Sequence, residues 1–201
     1  AGVAGQFTQA IDDVDAARRL HSADDVHDVL EDFHSVAVLV PLDAGKPDRA
    51  LELLSQARRI VEKYSVGEEN YFTFYKFFLY AQAERQIASG DTSGGLATYG
   101  RLAALGERLG YWTPPFERAF FLSRKAMAEL RCWKTDAAAV TVAAGLAYNG
   151  RHPDLRLVEI AVLKRLGETA TAEARLAELQ SFYASYPEAD AETWPRVVAR
   201  A

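Results

Sequence analysis

The stretch that decides the fold runs from Gly45 to Ala57 and reads Gly-Lys-Pro-Asp-Arg-Ala-Leu-Glu-Leu-Leu-Ser-Gln-Ala. Glycine and proline mark a turn, and the first turn of a helix tolerates proline because its missing N–H would have no partner there. Ala50, Leu54 and Ala57 follow the glycine at offsets of 5, 9 and 12 residues. These offsets share one face of an α-helix. The stretch therefore predicts a turn followed by a helix with one buried face.

The same spacing recurs at three further positions. The turn residues with their three offset residues are Gly90 with Gly95, Tyr99 and Leu102, Cys132 with Ala137, Thr141 and Ala144, and Gly167 with Ala172, Leu176 and Leu179. A small residue at the first offset allows two helices to approach closely, and the next two residues continue the buried face. Four such turns, joined by short connections, predict a chain built of antiparallel helix pairs.

Apolar residues at a period of 3.6 predict helices along almost the whole chain. The predicted helices are 8–20, 24–40, 47–64, 70–89, 95–109, 115–132, 135–148, 153–166, 169–185 and 190–199. The β-branched run from Ser35 to Leu42 also fits a buried strand, but no second convincing strand offers a partner. We interpret 35–40 as the end of a buried helix that stops before Pro41, because the residue before a proline disfavours the helical conformation.

With these turns and helices, the chain resembles the tetratricopeptide repeat (TPR) family and its TPR-like relatives over residues 24–186. The resemblance implies an all-α fold, a right-handed α-solenoid of about four antiparallel helix pairs with extra helices at both ends. It also implies a single domain over 1–201, with repeat units near 24–64, 70–110, 115–149 and 153–186. The units recur after about 45, 42 and 35 residues, whereas the family repeats about every 34 residues.

The resemblance further implies binding of peptides or proteins on a concave face lined by the first helix of each pair. Positions matching that face include Phe77, Tyr80 and Glu84, within or just after a run of seven aromatic residues between Tyr71 and Tyr80. Large rigid rings with a polar group nearby suit a peptide groove. A helix that is apolar nearly all round is also typical of a core helix, so these rings are interpreted either as groove wall or as core.

A second candidate wall lies on the helix predicted at 115–132. Arg118, Phe121 and Lys125 share one flank of that helix, at offsets of 3 and 7 residues. A basic flank beside an aromatic ring suits an acidic segment or the C-terminal carboxylate of a chain. The alternative is a solvated face with ordinary ion pairs. The prediction is a binding groove formed by both walls.

Composition excludes several functional classes. The net charge of −5 and a pI near 5.4 argue against a nucleic-acid binder, which needs cations to neutralise phosphates. Residues 1–45 hold nine acids against two bases, which fits a solvated helical face or an acidic surface for a basic partner. The chain has no run of about 18 to 20 apolar residues, so we expect no membrane insertion.

The chemical motifs point away from catalysis. His27, Glu31 and His34 share one edge of a predicted helix, as zinc ligands would, but such spacing is common in acidic helices and we predict no metal site. Cys132 is the only cysteine, and the sequence has no phosphate-binding glycine loop, dinucleotide fingerprint or His-Glu-x-x-His motif. We therefore predict that the chain is not an enzyme and uses no cofactor.

The leading hypothesis is a non-catalytic scaffold that binds a protein or peptide on the concave face of a TPR-like solenoid. The alternative is a ligand-sensing or regulatory helical domain of a larger protein, with a small-molecule pocket near residues 71–80. The sole methionine, Met127, leads us to expect either a processed chain or a module of a longer protein. The sequence leaves the identity of the partner, the compartment and self-association open.

Overall fold

The computed structural model describes residues 38–63, 68–109 and 115–184, and every regular element within them is an α-helix. The helices are α1 Val38–Asp43, α2 Pro47–Lys63, α3 Glu68–Ala88, α4 Thr92–Leu109, α5 Pro115–Arg131, α6 Thr135–Tyr148, α7 Pro153–Arg165 and α8 Thr169–Ala184. The predicted all-α class is confirmed over these residues. The predicted helices 8–20 and 190–199, and most of 24–40, lie outside the described residues.

The chain divides into two compact units, and the boundary falls within α4, between Leu105 and Gly106. In the first unit, α1 packs against α2 and α3, and α2 packs against α3. In the second unit, α5 packs against α6 and α7, α6 against α7, and α7 against α8. Within each unit, contacts therefore join consecutive helices and also the first helices of successive pairs.

The four predicted turns end their helices with the same two hydrogen bonds. At the first turn, the Gly45 N–H donates to the Leu42 carbonyl at 3.0 Å, and the Lys46 N–H donates to the Pro41 carbonyl at 2.8 Å. This pairing around a residue with positive φ is the Schellman motif. The other turn residues with the same pattern are Gly90, Trp133 and Gly167. The residues five positions later are all small and buried, namely Ala50, Gly95, Ala138 and Ala172.

The third turn is centred on Trp133, so the predicted register at Cys132 is wrong by one residue. Trp133 has a φ of 60° and takes the left-handed position that glycine takes elsewhere. The buried residues at the three offsets are Ala138, Val142 and Gly145. The predicted Ala137 and Ala144 are exposed, because the hydrogen bonds of the turn, and not a glycine, set where the next helix begins.

Helix α1 passes through Pro41 and ends at Asp43, so the prediction that it stops before Pro41 is wrong. The fixed φ of proline fits a helix, and its cost is one missing N–H and crowding of the preceding turn. Pro41 is buried, and its carbonyl accepts the Lys46 N–H that closes the turn. Packing and turn formation therefore outweigh the local preference of the residue before proline.

Helix α4 begins at Thr92, three residues before its predicted start. Asp91 Oδ1 accepts the Gly94 N–H at 2.9 Å, which is the capping bond of a helix N-terminus. Gly95 then lies inside the helix, where a Cβ would come within 2.9 Å of the Ala83 carbonyl oxygen. Gly95 thus serves the close approach of α3 and α4, and not a loop.

Two apolar clusters form the core of the second unit around α7. The cluster shared by α5, α6 and α7 contains Ala126, Leu130, Ala138, Val142, Val158 and Val162. The cluster shared by α7 and α8 contains Leu157, Ile160, Ala172 and Leu179. A helix that packs on two sides needs apolar residues around most of its circumference, which explains the sequence of α7.

Candidate functional site

The groove residues predicted in the first unit all lie on α3. Phe77 and Tyr80 are buried, with 8% and 2% of their surface exposed, and Glu84 is half-buried. The Tyr99 hydroxyl of α4 donates to Glu84 Oε1 at 2.5 Å, and the ring centroids of Tyr80 and Tyr99 are 6.0 Å apart. These contacts hold the two helices of one pair together.

The groove residues predicted in the second unit lie on α5, and two of them contact α6. The Arg118 guanidinium lies over the Tyr148 ring, 3.7 Å from its centroid. Lys125 Nζ donates to Glu129 Oε1 at 2.6 Å and to Thr141 Oγ1 at 2.7 Å. Both cations therefore stabilise a helix pair from within. The predicted groove across the two walls stays a prediction, since each wall belongs to a different unit.

A different face of α5 contacts α7, and the sequence analysis did not assign it a role. Phe120 is half-exposed, and the Arg124 guanidinium lies 4.9 Å from its ring centroid. Arg124 also approaches Asp154 of α7, with an N···O distance of 3.9 Å. The predicted groove residue Phe121 is buried, and its ring meets Phe120 edge to face with centroids 5.2 Å apart.

The sequence did contain a signal for this face. Phe120 and Arg124 are four residues apart, so they share one side of a helix. The signal could not be separated from that of Arg118 and Lys125, because α5 has neighbours on two sides and only the tertiary contacts show which neighbour meets which face. Helices α5 and α7 are the first helices of their pairs, and Arg124 lies where they meet.

His152 lies next to this face, immediately before α7. Its side chain is buried, and burial lowers the pKa of the imidazole below 6.5, while the Asp154 carboxylate raises the pKa and the Arg124 guanidinium lowers it. The imidazole is therefore neutral at pH 7, and Arg124 and Asp154 set the charge of the site.

Aromatic surface is also available on α3. Tyr75 is exposed and Phe78 is half-exposed, with ring centroids 6.2 Å apart. The two rings are three residues apart and thus lie on one side of the helix. The sequence had suggested Phe77 and Tyr80 as groove residues, but these two rings are buried, and the surface rings here are Tyr75 and Phe78.

Two remaining predictions reach beyond the described residues. The positions His27, Glu31 and His34 lie outside them, and so do the side chains of residues 71–74 in the predicted small-molecule pocket. Among the side chains that the structure describes, no three His, Cys, Asp or Glu residues lie close enough to hold a metal ion. None of the described helices is long and apolar enough to cross a membrane.

Comparisons with protein-family models, with curated proteins and with solved structures give no match. The resemblance to TPR proteins therefore rests on the repeated turn and on the buried positions that follow it.

Proposed function

We propose that the chain is a non-catalytic scaffold of TPR-like helix pairs that binds a peptide or protein segment on the face formed by the first helix of each pair. The observation that supports this proposal is the repetition of one turn, with the same two hydrogen bonds and a buried small residue five positions later. Stacked copies of such a unit create an extended face suited to an extended ligand. The proposal includes one right-handed solenoid over residues 1–201 with extra terminal helices.

The intervals between the turns support a common repeat. The interval from Trp133 to Gly167 is 34 residues, and that from Gly45 to Gly90 is 45 residues. The helices within the shorter interval have 14 and 13 residues, whereas those within the longer one have 17 and 21 residues. The 11 extra residues of the longer interval, from Gly45 to Gly90, therefore lie in its helices. The connections of the two intervals have the same combined length.

The binding chemistry that we propose combines aromatic rings with one arginine. In the second unit, Phe120 offers a half-exposed ring, and Arg124 adds a guanidinium able to bind a carboxylate or a peptide carbonyl. In the first unit, Tyr75 is exposed and Phe78 half-exposed, but they lie on a different side of α3 from the predicted groove residues Phe77 and Tyr80. The predicted residues Phe77, Tyr80 and Phe121 are buried and belong to the core, so the proposal does not use them as contact residues.

The test is a selection from a random displayed peptide library against the intact chain, followed by titration of the enriched peptides. We expect Phe120→Ala and Arg124→Gln each to weaken binding by about tenfold, because each removes a contact at the centre of the face. The buried Phe77 and Tyr80 are poor choices for substitution, since truncation there would destabilise the core.

Arg175→Gln is the matched control. Arg175 is also a half-exposed arginine paired with acids, but it lies on α8, the second helix of its pair. Binding should survive this substitution unchanged. Equal weakening by Arg124→Gln and Arg175→Gln, or the absence of any enriched peptide, would contradict the proposed face.

A further inference from the structure

The turn between α5 and α6 places a tryptophan where the other three turns have glycine. Trp133 has a φ of 60°, and the glycines have φ values of 70°, 90° and 81°. This conformation favours glycine because the Cβ of any other residue comes too close to the following carbonyl oxygen. Trp133 is nevertheless 82% exposed, so burial of the ring does not compensate for the strain. A strained and exposed tryptophan indicates a role for the ring outside the fold.

Arg165 orients this ring from the neighbouring turn. Its guanidinium lies 4.6 Å from the centroid of the Trp133 ring, and its Nη1 donates to the Leu130 carbonyl at 2.5 Å. The same carbonyl accepts the Trp133 N–H at 3.0 Å. Arg165 therefore ties the end of α7 to the end of α5 and holds the ring in place while most of its surface stays exposed.

Several cations lie close in sequence to Trp133 and to Arg165. We define the Trp133 corner as the exposed residues Arg131, Trp133, Lys134, Lys164 and Arg165. The segments 131–136 and 164–168 contain these four cations against two acids, Asp136 and Glu168, in a chain whose net charge is −5. A local excess of positive charge around an exposed ring complements an acidic ligand that also has an apolar group.

We propose that the Trp133 corner binds an acidic peptide segment, with an apolar side chain of the segment on the Trp133 ring and its carboxylates on the surrounding cations. Tryptophan and arginine dominate the binding energy of protein interfaces, and guanidinium groups bind carboxylates through paired hydrogen bonds. Leu166, which follows Arg165 in the chain, is also exposed and offers a second apolar side chain.

A nucleic acid fits this corner less well. The net charge of −5 repels every anionic ligand, and it opposes a long polyanion more than a short acidic segment because the repulsion grows with the charge of the ligand. The Trp133 corner is formed by turns, whereas the proposed scaffold function uses the first-helix face. The two proposals therefore stand or fall separately.

The test is a fluorescence-anisotropy titration of the intact chain with a labelled peptide of alternating Glu and Gly residues around one Leu. At low salt we expect saturable binding of this peptide and none of its counterpart with Lys in place of Glu. Trp133→Gly should weaken binding by about tenfold or more, because it removes the ring but leaves the turn with its preferred residue. The denaturation midpoint of this variant should not fall, which separates loss of the ring from unfolding.

Lys134→Glu and Lys46→Glu form a matched pair. Both lysines are exposed and follow the turn residue of a Schellman motif, but only Lys134 belongs to the Trp133 corner. We expect Lys134→Glu to weaken binding severalfold, and Lys46→Glu to change it by less than about twofold.

Four results would overturn the proposal. Equal weakening by Lys134→Glu and Lys46→Glu would show attraction to overall charge, and unchanged affinity of Trp133→Gly would remove the ring from the site. Tighter binding of a single-stranded oligonucleotide would overturn the ligand class. Loss of binding in Phe120→Ala but not in Trp133→Gly would move the acidic peptide to the first-helix face, which contradicts the corner and supports the scaffold proposal.

Discussion

The turns at Gly90 and Trp133 make the same two hydrogen bonds but differ in the residue with positive φ. Apart from Gly90 and its two chain neighbours, no atom lies within 4 Å of the place where a Cβ on Gly90 would be, so the backbone conformation selects glycine there. At Trp133 the same conformation costs about 1–2 kcal/mol. The comparison teaches that the hydrogen bonds define the turn, and that a residue other than glycine can occupy the positive-φ position with strain that its contact with the Arg165 guanidinium offsets only in part.

The helices that follow these two turns are packed differently. After Gly90, the buried positions at offsets of 5 and 9 residues are Gly95 and Tyr99, and after Trp133 they are Ala138 and Val142. A glycine is thus combined with a large ring, and an alanine with a smaller branched side chain. Such compensation keeps the density of a core at the level of close packing.

The largest expected effect on stability concerns the buried residues nine positions after each turn residue, Tyr99 and Val142. Tyr99→Ala should lower the free energy of unfolding by about 3–5 kcal/mol, because it leaves a cavity and removes the hydroxyl that donates to Glu84. Val142→Ala should cost about 2 kcal/mol, since the cavity is smaller. Urea denaturation followed by circular dichroism gives both values. Equal losses would mean that the two helix pairs are packed alike.

The next effect compares the polar contacts within the two helix pairs. Lys125→Met should lower the free energy of unfolding by about 2 kcal/mol, because Glu129 is buried and would lose its cationic partner. The double variant Lys125→Met with Glu129→Leu should recover most of the loss, since it leaves no buried charge. A double-mutant cycle measured by urea denaturation shows this, and the absence of recovery would contradict a dependence of Glu129 on Lys125.

Substitution of the two turn residues, Gly90 and Trp133, should change the free energy of unfolding by smaller amounts and in opposite directions. Gly90→Ala should destabilise by about 1 kcal/mol, because alanine is strained at positive φ. Trp133→Gly should stabilise by about 0.5 kcal/mol, since relief of about 1–2 kcal/mol of strain exceeds a cation–π contact of about 0.5–1 kcal/mol. Thermal and urea denaturation measure both. A clear loss of stability in Trp133→Gly would show that the ring supports the fold.

The smallest effect is a pH dependence specific to the second unit. Burial lowers the pKa of His152 in the folded chain, so the unfolded chain binds a proton first as the pH falls below about 6.5. The free energy of unfolding should therefore fall as the pH drops from about 6.5 towards the lower pKa that His152 has in the folded chain. His152→Asn, which does not titrate and suits a helix N-terminus, should flatten the decline. Urea midpoints at neutral and mildly acidic pH test this, and parallel curves for both proteins would exclude His152 as the cause.

Helix periodicity and turn residues predicted most of the fold over the described residues. The ends of α2, α3 and α5 to α8 agree with prediction to within two residues, because a proline near a helix start and a glycine after a helix end act locally. The prediction failed where a tertiary contact outweighed a local signal. Pro41 stays inside a helix because it is buried there, and Gly95 belongs to a helix because α3 approaches it closely.

The site was less predictable than the fold. The pattern around Arg118 and Lys125 showed that they share a flank of α5, but not that α6 would engage both cations. The sequence left Phe77 and Tyr80 open between core and groove, and the structure shows both buried, with Tyr80 against Tyr99 of α4. A periodic pattern defines the faces of a helix, and it does not state which face meets another helix.

The sequence by itself determined the all-α class, the four turns to within one residue, and the buried small residue that follows three of them, because turn chemistry and helical periodicity depend on neighbours in the chain. Only the tertiary structure decided that Trp133 takes the glycine position, that Arg165 lies against its ring, and that Arg124 meets Asp154 of α7. These features depend on contacts between residues from different helices. Their energies come from packing and electrostatics across space, which a local pattern does not record.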